Sequence, residues 1–251
     1  MHAVLLAGGK GTRLRPYTRD LPKPLVPLAD GVPVLDLLIR QLADAGATRL
    51  TVVTGHLAEQ IERFCGDGSK WGLSIDLVRE EQPLDTAGCL GLIERPTEPF
   101  LMMNGDLLTS LDFAGMMRAH REDCGAAATI AAHRREVKID LGVLELDDAG
   151  ALTDYVEKPT HTFWVSMGVY VLDPRVCDLV GLGERVSLPE LILKLRDGGQ
   201  TVRSHREECY WLDIGRPDDY LRAKADFADR RTLFFPTRTG DKQNPPLKVA
   251  A

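Results

Sequence analysis

The sequence predicts an α/β fold built on a largely parallel sheet. Three observations carry that expectation. Short apolar runs alternate with segments of helical period along most of the chain. The first apolar run leads directly into a glycine-rich turn, Gly8-Gly9-Lys10-Gly11, the punctuation expected at the end of a strand. At 251 residues and 44% hydrophobic content, the chain can bury the core of one large domain.

Taken in order, residues 4–7 read as the first strand. Residues 33–45 read as a helix that has Pro33 near its start and Gly46 as its stop. Residues 50–54 form the second expected strand and 57–64 a short helix. Residues 73–78 and 100–103 are the third and fourth strands. Residues 126–132, 142–146 and 165–172 add strands to a mixed sheet, and 188–195 and 217–227 read as helices. There is no internal repeat. Composition shifts at Pro236, where Thr-Gly-Asp-Lys-Gln-Asn-Pro-Pro precedes the end of the sequence. Residues 1–230 are therefore expected as one catalytic domain and 231–251 as a C-terminal tail or arm.

A net charge of -6 argues against a nucleic-acid surface, which would select basic patches, but not against one phosphorylated ligand. The five cysteines are scattered without a C-x-x-C pair, which fits a reduced, cytoplasmic compartment. The six histidines are equally dispersed, so a zinc site is not expected. The first residues lack the basic flank and length of a signal peptide, and no stretch approaches membrane-spanning length.

The richest segment runs Leu6-Ala7-Gly8-Gly9-Lys10-Gly11-Thr12-Arg13-Leu14-Arg15-Pro16, followed by Pro22-Lys23-Pro24. Glycines after a buried strand let backbone N–H groups approach a phosphate chain, and Lys10, Arg13, Arg15 and Lys23 bring cations to the same turn. A solvated surface loop is the plain alternative. A P-loop is excluded because no Lys-Ser/Thr follows a glycine, and Leu14 stands where a dinucleotide fingerprint needs its third glycine.

This segment resembles the signature G-G-x-G-T-R-L-x-P with a following K-P of the sugar-1-phosphate nucleotidyltransferase (NDP-sugar pyrophosphorylase) family. The resemblance implies a Rossmann-like, three-layer fold with a mixed central sheet, and Mg²⁺ as cofactor. It implies that Leu6, Ala7, Gly8, Gly9, Gly11 and Thr12 line the nucleotide and that Arg13 and Lys23 bind its phosphates.

Further blocks extend the likeness. Glu80-Glu81-Gln82-Pro83-Leu84-Asp85-Thr86-Ala87-Gly88 reads by itself as a loop entering a helix, with Asp85 or Thr86 as cap. It also resembles the family's base-recognition segment, with Gln82, Ala87 and Gly88 at the base and Asp85 where glycine is usual. Asn104-Gly105-Asp106 follows an apolar strand, which is either an Asx turn or a ligand position beyond a strand's carboxyl end. The resemblance puts Asn104 and Asp106 at the nucleotide and has Asp106 and Asp213, the latter in Trp211-Leu212-Asp213, hold Mg²⁺. Val156-Glu157-Lys158-Pro159 alone is a solvated turn; by resemblance Glu157 binds sugar hydroxyls and Lys158 the sugar phosphate. Gly142 and Ser166 stand in the sugar-side segments, with Leu141 and Ser166 replacing the family's usual aromatic residue and asparagine.

The residue inventory suits one reaction type without any family. A phosphate oxygen is already an anionic nucleophile, and no Ser-His-Asp or Cys-His grouping supplies a general base. The obstacle is bringing a dianion against a triphosphate, and cations remove it. Arg13, Lys23 and Lys158 are therefore the expected catalytic cations, Arg13 at the departing pyrophosphate, Lys23 near the α-phosphate and Lys158 at the attacking phosphate. The expected substrates are a sugar 1-phosphate and a nucleoside triphosphate, with GTP ahead of UTP and dTTP because residues 80–88 resemble mannose-1-phosphate guanylyltransferases. A glycosyltransferase using an NDP-sugar would have no use for residues 8–13 with Lys23, and a nucleotide-sensing pseudoenzyme would have lost Arg13, Lys23, Asp106 or Asp213. No nucleic-acid or membrane partner is expected; a homo-oligomer is compatible with the sequence.

Overall fold

The computed structural model describes residues 1–123 and 125–235. The stretch from Pro236 onward, which holds most of the expected tail, and Cys124 lie outside the described residues. The chain runs β1 (His2–Leu6), α1 (Val34–Asp44), β2 (Arg49–Thr54), α2 (Ala58–Cys65), β3 (Ser74–Arg79), β4 (Phe100–Asn104), β5 (Leu107–Thr109), α3 (Phe113–Glu122) and β6 (Ala126–Lys138). It continues through β7 (Val143–Leu146), β8 (Leu152–Val156), β9 (Thr160–Leu172), α4 (Leu188–Asp197), β10 (Thr201–Arg206), β11 (Trp211–Asp213), α5 (Pro217–Asp229) and α6 (Arg231–Phe234).

Seven strands form one mixed sheet in the order β10-β6-β9-β4-β1-β2-β3. β1 lies parallel between β2 and β4, and β3 extends the parallel part. β9 runs antiparallel between β4 and β6. β1 and β4 read as unbroken apolar runs because both faces are covered: Ala3, Val4 and Leu5 of β1 are all fully buried. Ala3 and Leu5 face a core shared with Leu35 and Leu38 of α1, Ile61 of α2, Met116 of α3 and Phe227 of α5. Val4 faces the opposite core, with Phe100 and Met102 of β4 and Leu188, Leu191 and Leu195 of α4. The result is the expected three-layer α/β architecture.

Helix ends follow local chemistry. Ser187 and Glu190 form a reciprocal capping box at the start of α4, each side chain bonding the other's backbone N–H. Residue 57, expected inside the second helix, instead precedes it with a left-handed φ of 54°.

Four strands and two helices escape the periodicity reading. β5 and β11 are three residues each and pair antiparallel as a separate ribbon. α3 carries Gly115 inside its apolar stripe, which weakens the helical signal. β8 and β10 show no alternation because their residues are largely exposed. β7, expected in the main sheet, pairs only with β8. β6 continues six residues past the expected end at 132, and β9 begins five residues before 165. These extensions pair with each other as a ribbon that leaves the domain, so neither face meets a core. α6 lies within the expected tail, yet Phe234 is fully buried against Phe227 and Tyr210, which draws the chain back onto the domain through at least that residue.

Gly105, just past the end of β4, lies close against β1. Its N–H bonds Leu6 O at 2.8 Å, and a Cβ there would stand 2.6 Å from that same oxygen. Gly105→Ala should therefore lower stability by about 1–3 kcal/mol, since backbone rather than a mobile side chain would have to shift. Urea unfolding reads this directly, and an unchanged midpoint would contradict the close packing of β1 and β4.

Candidate active site

The order of the parallel strands reverses at β1, and ligands of open α/β sheets bind beyond the carboxyl ends of strands at such a point. Leu6 ends β1 there and Ala7 follows it. Ala7 N–H bonds Val53 O, and Gly8 O accepts from His56 N–H at 3.1 Å, so the turn after β1 is sewn to the one after β2. Gly8 and Gly55 touch: a Cβ on Gly55 would stand 3.0 Å from Gly8 O. Gly55 and His56 were missed in the sequence, although their place just after a buried strand was the same signal that singled out Gly8.

The turn itself is open on one side. Among the described residues, no backbone N–H from Gly8 to Arg13 donates to another protein group. Gly11 takes a left-handed φ of 58°, and the buried Thr18 hydroxyl donates to its carbonyl at 2.7 Å. The strand, the glycines and Thr18 thus hold a run of unused donors at the sheet's edge, next to the short turn Thr12–Leu14. Such a concave row of N–H groups is an anion cradle.

Facing it, Lys23 donates to the Asp106 carboxylate through Oδ2, with both side chains mostly covered. Asp106 Oδ1 is buried and has no hydrogen-bond partner. The β5–β11 ribbon sets Asp213 opposite Leu107, the residue after Asp106, and Ile214 N–H bonds Asp106 O at 3.0 Å. Two residues 107 positions apart in sequence are thus brought to one spot. Asp213 keeps one side open to solvent, yet partial burial pushes its pKa up and the Asp106 charge adds to this, opposed by Lys23 and Arg13. Arg13 reaches the same place: a Cβ added to Gly215 would stand 3.9 Å from its guanidinium and 3.4 Å from Asp213 Oδ2. Asp219, in the first turn of α5, accepts from Arg216 N–H beside this group. Arg13, Lys23, Asp106 and Asp213, four residues from three distant segments, form one charged cluster at the mouth of the turn.

Asn104 ends β4 with its side chain on Gly168, where a Cβ would stand 2.6 Å from Asn104 Nδ2. Gly168 has a φ of 72°, so the crossing of β4 and β9 needs glycine on both counts. Ser166, on β9, exchanges a 3.0 Å hydrogen bond with the buried Tyr170 hydroxyl and accepts from Gly168 N–H. Tyr170 packs in the core below, where burial raises its pKa.

The expected base segment follows β3. Gln82 is exposed. Asp85 keeps the left-handed conformation, φ 65°, that glycine would favour there, and its carboxylate accepts from Thr86 N–H at 3.1 Å. No helix cap forms at Asp85 or Thr86, because residues 88–91 make only a 3₁₀ turn. Thr86 Oγ1 instead accepts from Leu188 N–H at the start of α4. Ala87 and Gly88 both donate to Val186 O, and a Cβ on Gly88 would stand 2.4 Å from Glu184 O. That glycine is therefore required by the close approach of the backbone at Glu184, irrespective of any base. Glu80 begins the segment with Oε1 buried and unpartnered, and burial raises its pKa.

Three of the sugar-side residues, Gly142, Glu157 and Lys158, flank the β7–β8 hairpin, which joins the outer ends of β6 and β9. Glu157 and Lys158 follow β8, and Lys158, with a φ of 47°, ion-pairs with Glu157 at 3.9 Å. Tyr155 donates to Glu157 Oε2, and Gly142 leaves room for that tyrosine. Among the described residues, Lys158 makes no ion pair with Asp106 or Asp213.

The family profile described as nucleotidyl transferase matches residues 2–230. A mannose-1-phosphate guanylyltransferase of Mycobacterium tuberculosis is 34% identical over 230 residues, covering 89% of this chain and 64% of that protein. A UTP–glucose-1-phosphate uridylyltransferase of Synechocystis is also 34% identical, covering 89% of this chain and 62% of that protein. The chain thus spans less than two thirds of the length of these relatives. Among solved structures, HddC of Yersinia pseudotuberculosis superposes with a TM-score of 0.68 at 27% identity, over 90% of this chain and 99% of HddC. A Bacillus anthracis structure at 21% identity shares the fold with a TM-score of 0.73, over 90% of this chain and 94% of its own. With the glycine turn, the Arg13–Lys23 cations and the Asp106–Asp213 pair gathered at the switch point of a three-layer mixed sheet, and with the family profile spanning residues 2–230, this chain belongs to the nucleotidyl transferase family.

Proposed function

We propose that the protein joins a nucleoside triphosphate to a sugar 1-phosphate, releasing pyrophosphate and an NDP-sugar. The observation that carries the reading is the pairing of unused N–H donors from Gly8 to Arg13 with the Arg13–Lys23–Asp106–Asp213 cluster. The N–H row cradles the triphosphate. Arg13 balances charge on the departing pyrophosphate, and Lys23 stands at the α-phosphate. Lys158 and Glu157, carried by the ribbon, hold the sugar phosphate and sugar hydroxyls. Gly142 and Ser166 line that side. The attacking oxygen is already anionic, so the site needs cations and alignment rather than a base.

The donor set fits Mg²⁺. Asp106 offers a buried oxygen without a partner, and burial, with the Asp106 charge beside it, raises the pKa of the neighbouring Asp213, a strain that a bound cation would relieve. Two protein carboxylates suffice because this hard ion completes its shell with water and phosphate oxygens. When bound between Asp106 and Asp213, it would supply Lewis-acid stabilisation of phosphate charge. Lys23 would then exchange part of its hold on Asp106 for a phosphate oxygen.

For the base, GTP is the proposed substrate ahead of UTP and dTTP. Support comes from the likeness of residues 80–88 to guanylyltransferases and from the relatives, which include a guanylyltransferase and, at equal identity, a uridylyltransferase. A second HddC structure at 26% identity, with a TM-score of 0.66, is complexed with GMP-PN.

Purified protein with Mg²⁺ should release pyrophosphate only when both a nucleoside triphosphate and a sugar 1-phosphate are supplied. A panel of GTP, UTP and dTTP against several sugar 1-phosphates reads activity and base choice together. Sugar transfer from an NDP-sugar to an acceptor, without pyrophosphate, would replace this reading with a glycosyltransferase.

A further inference from the structure

The projecting ribbon leaves an open sheet edge. Among the described residues, β10 covers β6 only as far as the pair Arg206–Ala132, whereas β6 continues to Lys138 with β9 on its other side alone. Beside the point where β10 stops, a cleft of about 760 Å³ opens along Arg134, Glu136 and Arg206. Ile139 N–H bonds Pro159 O at 3.0 Å, continuing the β6–β9 ladder by one pair. In an antiparallel ladder the N–H and C=O of alternate residues point to opposite sides. Arg134, Glu136 and Lys138 therefore turn their backbone donors and acceptors to the open edge. Unpaired edges of this kind are templates for another strand unless they are blocked.

The side chains along this edge are charged in a self-complementary order. Arg134, Glu136, Lys138 and Asp140 alternate plus, minus, plus, minus. They share one face, as shown by the ion pairs Arg134–Glu136 at 3.2 Å and Lys138–Asp140 at 3.5 Å. All four side chains are more than half exposed. A two-fold axis through Val137 would set Glu136 against Lys138 twice and Arg134 against Asp140 twice. The same register aligns the outward-facing backbone groups of Glu136 and Lys138 as a hydrogen-bonded pair. On the other face it would bring together two copies of Val137, which is 42% exposed, with Phe163, which is 51% exposed, nearby. A register shifted by one residue would pair inward-facing with outward-facing backbone groups and lose the ladder.

We infer that residues 134–140 form a homodimer edge, in which a second copy of this chain adds its own β6 antiparallel across a two-fold axis at Val137. The two sheets then run on as one through the dyad, an isologous contact. The ribbon that carries Glu157 and Lys158 is held by the partner's strand in this arrangement.

The test is charge reversal read by analytical ultracentrifugation. The full chain should sediment as a dimer at micromolar concentrations. Glu136→Lys sets lysine against Lys138 twice, and Lys138→Glu sets glutamate against Glu136 twice. Each variant alone should dissociate on the order of tenfold or more readily, since every change acts twice across the axis. Mixing the two single variants should restore a dimer, because each supplies the charge that the other lacks. The double variant Glu136→Lys/Lys138→Glu should dimerise by itself. Circular dichroism of each variant checks that the fold is kept. A monomeric wild-type chain would overturn the inference. So would a dimer indifferent to both reversals, or single variants that stay apart when mixed.

Discussion

Asp106→Asn and Asp213→Asn should each lower kcat on the order of a hundredfold or more, and the double variant should be little worse than either. Each change keeps the side chain's shape and removes its charge. The β5–β11 pairing sets Asp213 against the residue after Asp106, and the proposed function has both carboxylates act through one cation. Once either is lost, the second has little left to contribute. Stability should separate the two. Folding lifts the Asp213 pKa, so the ionised form is disfavoured in the folded state at neutral pH, and that cost fades as pH falls toward the range where the group is protonated. Asp213→Asn should therefore leave the Tm at neutral pH unchanged or raised. Asp106→Asn removes the charge facing the nearly buried Lys23 and should lower it. Rate losses that multiply in the double variant would mean that the two aspartates do not share a metal.

Arg13→Ala and Lys158→Ala should fail in different parameters. Arg13 sits against Gly215 and Asp213 at the mouth of the phosphate cradle, where the proposed reaction places departing pyrophosphate. Charge builds up there only as the bond breaks, so the loss should fall chiefly on kcat. Lys158 stands beside Glu157 at the end of the β7–β8 hairpin, and its loss should raise KM for the sugar 1-phosphate far more than KM for the triphosphate. A charge-assisted hydrogen bond contributes roughly 1.5–3 kcal/mol, so each defect should be on the order of tenfold to a hundredfold. Arg13→Lys should recover only part of the rate, because an ammonium cannot grip a phosphate through two parallel bonds. Steady-state kinetics with each substrate varied in turn makes the distinction. An unchanged sugar-phosphate KM with impaired triphosphate binding in Lys158→Ala would reverse the proposed placement of the substrates.

Much of the fold was legible along the chain. β1 and β4 read as unbroken apolar runs because helices bury both of their faces, and α1, α4 and α5 each carry an apolar stripe, α1 and α5 toward one core and α4 toward the other. The turn from Gly8 to Arg13 was legible as well, since strand, glycines and cations are contiguous there and their chemistry is local. What escaped was whatever lacked a core or a run of its own. The outer halves of β6 and β9 have no buried face to impose alternation, and β5 and β11 are too short to show a period.

The sequence by itself determined the α/β class, the strand-to-glycine turn and the residue types that can manage phosphate charge, because each depends on neighbours within one segment. Only the tertiary structure decided that Lys23, Asp106 and Asp213 meet, since a three-residue ribbon between distant segments brings them together. It likewise decided that Gly88 serves the packing of Glu184 and that Gly168 makes room for Asn104. It also decided that, among the described residues, β6 ends in an open edge of alternating charge, because β10 stops short of it. Those facts rest on pairing between remote strands, and no local pattern of residues encodes which strand will lie beside which.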